Sequence, residues 1–417
     1  MSLRILAQKT GWMGILQLLN HAPTLAALAV VSRALGPAQF GHYSIFLGIG
    51  AYVSLVVDFG FNITATNSAA RAEGSLEVLR PLFQAVTGAR IILATAAAFA
   101  VAVLGIVYGA RSDDWQLGAL VVVQSIATSM TPTWFFIGLQ HPEDLLIPFG
   151  VCRIGAAVAA VMLVGSPGDI FAYAWIGACG NVLLMTWVGA RSINLGAKWK
   201  LPTWPNAREV LLGSLSVFSA SIAINAYTAA SPLIVAATLG TAAAGQYALA
   251  DRVRQIVMGA LTPVYQAVFP VACRAALGGS MADRRLRTYA FTALLSLGAI
   301  ASFVLFLSSG LIVEILGGPK FRGALDVLKI TSALPLVLTA STILGTHVMV
   351  PSGLKRQFSA VATTAAVLGV PMLIFWSRTL GLQGAGLSMV LTEILAFTLL
   401  CVTLHRHRQL IPLFRFE

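Results

Sequence analysis

Apolar residues run in blocks of about 20 along nearly the whole chain, separated by short polar or glycine-containing connections. Blocks of that length match the hydrocarbon thickness that one helix must cross. They lack the apolar–polar alternation over roughly ten residues that marks an outer-membrane strand. The pattern predicts helical spans near 10–32, 40–63, 82–108, 115–138, 144–164, 168–190, 209–236, 243–271, 288–316, 327–350, 357–377 and 384–404. The expected class is an all-α polytopic membrane protein with about 12 transmembrane helices.

A short pattern recurs 204 residues apart in this 417-residue chain. Its first copy is Leu35-Gly36-x4-Gly41-x-Tyr43 and its second is Leu239-Gly240-x4-Gly245-x-Tyr247. An offset near half the length predicts two six-helix lobes, 1–196 and 197–417, with a basic linker at 191–208. Six is even, so both lobes enter the membrane from the same side. They are then parallel repeats related by a pseudo-two-fold along the membrane normal, with a site expected at their seam.

Composition narrows the class further. Hydrophobic residues make up 58% of the chain and charged residues 10%, against roughly 25% charged for a soluble domain. The apolar N-terminal stretch carries Asn20, His21 and Pro23 and leads straight into the repeated pattern, which favours a retained first helix over a cleaved signal peptide. Seventeen Arg and Lys residues fall on the side of the N-terminus, and five (Arg33, Arg111, Lys320, Arg322 and Arg378) on the other. That bias puts both termini and the linker in the cytoplasm. The net charge of +12 follows from the same asymmetry and is not a nucleic-acid footprint. Trp199 and Trp204 suit a linker lying among lipid headgroups. Four scattered cysteines with no Cys/His cluster argue against metal and redox roles, and no nucleotide-binding GxxxxGK[ST] is present. No catalytic group or cofactor is expected. Pro23, Pro132, Pro148, Pro232, Pro263, Pro270, Pro335 and Pro371 are expected kinks or hinges.

Ionisable side chains at bilayer depth are expensive, so those present are expected to face a cavity or a partner. They are Asp58, Arg90, Arg153, Asp251, Arg252, Arg254, Lys329 and Glu393. The cationic surplus favours an anion, and the planar guanidinium suits phosphate. Arg90, Arg153, Arg252, Arg254 and Lys329 are therefore candidate substrate contacts, Lys329 the weakest because it can snorkel. Asp251 and Arg254, three apart on one helix, can equally pair with each other. Asp58, Asp251 and Glu393 are candidates for coupling to H+ or Na+, Glu393 also for capping a cationic partner. Two polar stripes at helical spacing, Ser214, Ser221, Asn225 and Thr228, and Gln124, Thr128, Thr131 and Phe135, are read as cavity linings. Trp134, Phe135 and Phe136 are read as an interfacial aromatic belt, with stacking on sugars as the other option.

The segments SRALGPAQFGHYSIF (32–46) and VDFGFNITATNSAAR (57–71) are similar to the opening signature of Wzx-type flippases. These form part of the polysaccharide-transport branch of the multidrug/oligosaccharidyl-lipid/polysaccharide exporter (MOP) superfamily. TPTWFFIGLQ (131–140), LGTAAAGQYALADRVRQ (239–255), QAVFPVACR (266–274), LGGPKFRGALDVLKI (316–330) and GLQGAGLSMVLTEI (381–394) extend the resemblance in order. It implies two six-helix lobes around a V-shaped cavity with a cationic lumen, and adds Arg33 as a substrate contact at the mouth. It also implies an undecaprenyl-pyrophosphate-linked oligosaccharide as substrate, an O-antigen, common-antigen or capsule unit turned across the bacterial inner membrane. Membrane lipid, a glycan polymerase and chain-length machinery are the implied partners. A cation or drug antiporter of the same superfamily and a lipid II flippase remain alternatives, whereas a membrane glycosyltransferase would need a larger external loop.

Overall fold

In a computed structural model of the chain, residues 3–72, 75–197, 204–276 and 281–407 are described. The linker residues 198–203, with Trp199, lie outside them. Every regular element among the described residues is helical. They are α1 (Leu3–Asp58), α2 (Phe61–Arg71), α3 (Leu76–Val107), α4 (Ser112–Met130), α5 (Thr133–Gly138), α6 (Leu146–Leu163) and α7 (Ile170–Asn194). There follow α8 (Trp204–Leu239), α9 (Thr241–Ala276), α10 (Met281–Leu316), α11 (Arg322–Thr331), α12 (Leu334–Thr342) and α13 (Lys355–Arg406). Short 3₁₀ turns join some of these, and Ile343–Met349 is a π-helical stretch between α12 and α13. Eight helical stretches among the described residues are long and apolar enough to cross a membrane. Large apolar side chains such as Phe99, Ile106, Met162 and Phe303 stand exposed on them, as contact with lipid requires.

The interruptions fall at glycines more than at the expected prolines. Gly36 (φ 70°, ψ 171°) breaks α1, and Gly381 (φ 63°, ψ −137°) breaks α13. Pro232 and Pro371 lie inside α8 and α13. A glycine break is sharper because it reverses the sign of φ, which a side chain would oppose. Pro132 and Pro335 are the exceptions: Thr131 before Pro132 is extended and α4 ends there, and Pro335 stands in the first turn of α12 just after the break from α11.

The chain divides into two compact units. The first holds residues up to Leu35 and His42–Ala230, and the second holds Gly36–Gly41 together with residues from Ser231 onward. The first part of α8 therefore clusters with the helices before it, past the 196/197 boundary expected from the repeat. Its contacts explain this: Phe218 stacks on Phe59 at 3.9 Å, and Ser214 Oγ lies 2.7 Å from Thr64 Oγ1. The core of the first unit gathers Phe61, Phe83, Trp134, Phe135, Phe136, Leu145 and Leu184. In the second, Leu334, Met389 and Val390 form one apolar cluster and Val348, Met349, Leu400 and Leu404 another.

Within the second unit the two copies of the repeated pattern meet. Gly36 and Gly240 both have positive φ, at 70° and 89°. Five residues on, Gly41 packs on the second copy with no room for a side chain. A Cβ there would collide with the Thr241 carbonyl oxygen and lie 2.7 Å from Gly245 N. The contact is reciprocal, since a Cβ on Gly245 would collide with the Pro37 carbonyl oxygen and lie 2.9 Å from Gly41 N. The glycines recur because two backbones touch at this point.

Replacing Gly41 or Gly245 by Ala is expected to destabilise the protein by about 1–3 kcal/mol through overpacking. Gly14→Ala, where nothing lies within 4 Å, should be neutral. Thermal unfolding midpoints of the purified variants check this, and an unchanged midpoint for both Gly41→Ala and Gly245→Ala would contradict it.

Candidate functional site

In the first unit, α1 ends at Asp58 because Phe59 and Gly60 both take left-handed conformations (φ 47° and 80°) before α2 begins. Non-helical backbone at membrane depth is stable only where it is buried in protein or lines a wet cavity. The break aims the Asp58 carboxylate at α3, where Arg90 Nη2 donates to it at 2.8 Å and to Asn62 Oδ1 at 3.2 Å. Arg90 is 1% exposed, and its guanidinium carbon lies 5.9 Å from the Phe61 ring centroid. Its Nε is buried with no hydrogen-bond partner. The two charges cancel, with Arg90 buried and Asp58 partly exposed. Both members were expected to serve transport directly, but their first contacts are with each other.

Arg153 is different. It lies near the middle of the apolar stretch Pro142–Leu163, roughly 15 Å from either end at helical rise. Its Nε donates to Asn20 Oδ1 at 3.0 Å and its Nη1 to Asn181 Oδ1 at 3.2 Å. Thr128 Oγ1 donates to the same Asn181 oxygen at 3.0 Å, and Asn181 Nδ2 donates to the Gly177 carbonyl at 2.8 Å. Tyr43 OH donates to Gln124 Oε1 at 3.2 Å beside them. Amide oxygens orient the guanidinium without neutralising it. No carboxylate reaches Arg153 among the described residues. The side chain is partly exposed, and of its five N–H groups Nη2 and one on Nη1 stay unclaimed there.

The second unit has a separate polar cluster on α9 and α13. Arg254 Nη2 lies 2.7 Å from Asp251 Oδ1, to which its Nε also donates at 2.8 Å. Gln255 Nε2 holds the other Asp251 oxygen at 2.7 Å. Of the two open readings, the local pair is therefore formed. Arg252 turns away from it and donates from Nη1 to Gln255 Oε1 at 3.4 Å. Glu393, about midway along the segment of α13 after Gly381, lies within the field of Arg254 and makes no hydrogen bond among the described residues. Asp251 is thus committed to Arg254, while Glu393 is not.

The other expected positions scatter. Arg33 and Lys329 are exposed, Lys329 in the last turn of α11. The stripe from Gln124 to Phe135 is not continuous: Pro132 ends the helix, and the Thr131 hydroxyl turns back to the Ala127 carbonyl at 2.8 Å. Gln124 and Thr128 remain on one polar face. In the other stripe Ser214 is buried against Thr64 and Thr228 is exposed. The side chains of Ser221 and Asn225 lie outside the described residues. Trp134, Phe135 and Phe136 form neither an interfacial belt nor a sugar platform. They are at most 1% exposed and pack edge to face with one another and with Phe83, because α5 is folded into the core.

Asn62, Asn181 and His347 were not singled out from sequence, and Asn20 was noted only as a polar interruption. Isolated amides in apolar runs are the signal that marks the first two. His347, 2% exposed on the π-helical stretch, faces the Thr342 carbonyl through Nδ1 at 3.2 Å and the Tyr265 carbonyl through Nε2 at 2.9 Å.

Residues 6–275 match the family described as "Polysaccharide biosynthesis protein". Two relatives bear the description "Putative O-antigen transporter". The protein from Escherichia coli (strain K12) is 24% identical over 402 residues, covering 96% of this chain and 97% of the relative. The one from Shigella dysenteriae is 24% identical over 388 residues, covering 90% and 94%. An inward-facing multidrug resistance MATE family transporter of the MOP superfamily superposes with a TM-score of 0.70 at 14% identity, covering 94% of this chain and 95% of that one. A MOP superfamily transporter from Pyrococcus furiosus, described as having a binding pocket of reverse polarity, gives 0.56 at 14% identity, covering 97% and 96%. At these identities the likeness establishes the fold.

Asp58→Ala would strand the Arg90 charge in an enclosed site and should cost about 3–5 kcal/mol. The double variant Asp58→Leu/Arg90→Leu removes both charges and should be markedly more stable than Asp58→Ala. Thermostability of the purified proteins tests this, and a neutral Asp58→Ala would contradict it.

Proposed function

The chain belongs to the polysaccharide biosynthesis protein family, and from that premise we propose that it is a flippase for undecaprenyl-pyrophosphate-linked oligosaccharide in the bacterial inner membrane. The cargo is an O-antigen, common-antigen or capsule repeat unit. The transporter descriptions of its relatives and its MOP-superfamily fold support a carrier rather than an enzyme. The observation that carries the substrate reading is Arg153, a guanidinium at bilayer depth that amides hold in place and no acid neutralises. Such a group is positioned to give paired, charge-assisted hydrogen bonds to a phosphate. Arg252 and, at the mouth, Arg33 supply further positive charge. The polyprenyl tail stays in lipid while the pyrophosphate and sugars cross.

The topology that goes with this reading has twelve crossings. Splitting α1 at Gly36 and α13 at Gly381, and counting α8 and α9, extends the eight apolar stretches to that number. Both termini lie in the cytoplasm, and two lobes related by a pseudo-two-fold alternate between inward and outward states. Glu393 couples this cycle to an ion gradient, being the deep carboxylate not committed to an arginine by a hydrogen bond. A polymerase and chain-length machinery receive the product. A drug or cation antiporter on the same fold is the second reading, favoured by the MATE likeness. Lost surface glycan with unchanged drug susceptibility in a deletion strain would exclude it.

Arg153→Gln is expected to abolish restoration of surface glycan in that strain while inserting normally. Arg153→Lys should restore a fraction, because it keeps the charge but loses the planar fork. Full restoration by Arg153→Gln would overturn the substrate reading. Glu393→Gln should leave a slow export insensitive to collapse of the proton or sodium gradient, and export by that variant that still follows the gradient would remove Glu393 from the coupling role.

A further inference from the structure

The first unit holds a polar concavity away from Arg153. It is bounded by α2, α3 and the start of α8, opens at Ser68, Asn206 and Glu209, and has a volume of about 400 Å³. Small-ligand sites span roughly 300–1,000 Å³. Thr64 and Ser214 pair with each other in its wall. Ser68, Asn206 and Glu209 also line it, and their side chains make no hydrogen bond or ion pair among the described residues. Opposite them α3 presents Pro81, an apolar ring surface.

We infer that this cavity binds an uncharged sugar ring of the carried glycan, an assignment that rests on the flippase reading above. Among the described residues its lining holds one carboxylate and no cation, which disfavours a phosphate. A lone carboxylate is also a poor cage for a hard cation, which takes six or more oxygen ligands. Sugars fit both surfaces. The Glu209 carboxylate accepts from neighbouring hydroxyls, the Asn206 amide both donates and accepts, and Ser68 does either. The ring C–H face lies against Pro81. The phosphate and sugar parts of the cargo thus use different places in the same unit. The first requires fixed charge, the second uncommitted hydrogen-bonding groups beside an apolar wall.

The test uses the full chain in lipid nanodiscs free of glycosidic detergent, with methyl glycosides of glucose, galactose, mannose and N-acetylglucosamine as probes. Saturation-transfer NMR should show at least one probe bound by the wild type. Glu209→Gln and Asn206→Ala should each weaken that binding at least fivefold without lowering the thermal midpoint. Arg153→Gln should leave it unchanged. No probe bound by the wild type, or binding equal in both cavity variants, overturns the inference. Failure of the flippase reading looks different: the chain would not restore surface glycan in a deletion strain, whatever the sugar binding.

Discussion

An arginine in hydrocarbon costs a few kcal/mol even on the lenient insertion scale, so each one that persists there must be held by something. In this protein the holding group differs from site to site. A carboxylate on a broken helix encloses Arg90, and a carboxylate one turn away holds Arg254. Arg153 meets two amide oxygens instead. A carboxylate cancels the charge it holds. An amide orients it and leaves the field in place, so only the third arrangement keeps an anion-binding potential.

The two units therefore carry different remainders at depth. In the first, pairing of Asp58 with Arg90 leaves the charge of Arg153. In the second, pairing of Asp251 with Arg254 leaves Glu393, with Arg252 turned aside toward Gln255. A carrier of a charged lipid needs one group that recognises the headgroup and another whose charge state can follow a gradient. In the proposed mechanism, dividing these tasks keeps recognition from being neutralised by the coupling acid.

Much of the fold was legible in the chain. Apolar block length marked helices, and the 204-residue offset marked glycines that prove to touch each other through bare backbone. The site was legible only in part. Spacing along one helix exposed the Asp251–Arg254 pair, because three residues is one turn. It could not reveal Asp58 against Arg90, whose contact depends on left-handed backbone at Phe59 and Gly60 and on the packing of α3. Nor could it show that Asn20, Thr128 and Asn181, on three different helices, converge around one guanidinium. The stripe through Thr131 failed because Pro132 stops the helix on which the spacing was counted. The aromatic run failed because aromatic rings look alike in sequence whether they lie at an interface or within a core.

The most direct measurement is the affinity of the protein in nanodiscs for undecaprenyl pyrophosphate without sugars, read at fixed salt for the unaltered chain and two variants. Arg153→Gln should lose at least tenfold relative to the unaltered chain. The neutral double variant Asp58→Asn/Arg90→Gln should stay within about threefold, since its charges already cancel. Equal affinity in Arg153→Gln, or a loss confined to the Asp58/Arg90 pair, would contradict the view that the unneutralised guanidinium is what holds the phosphorylated lipid.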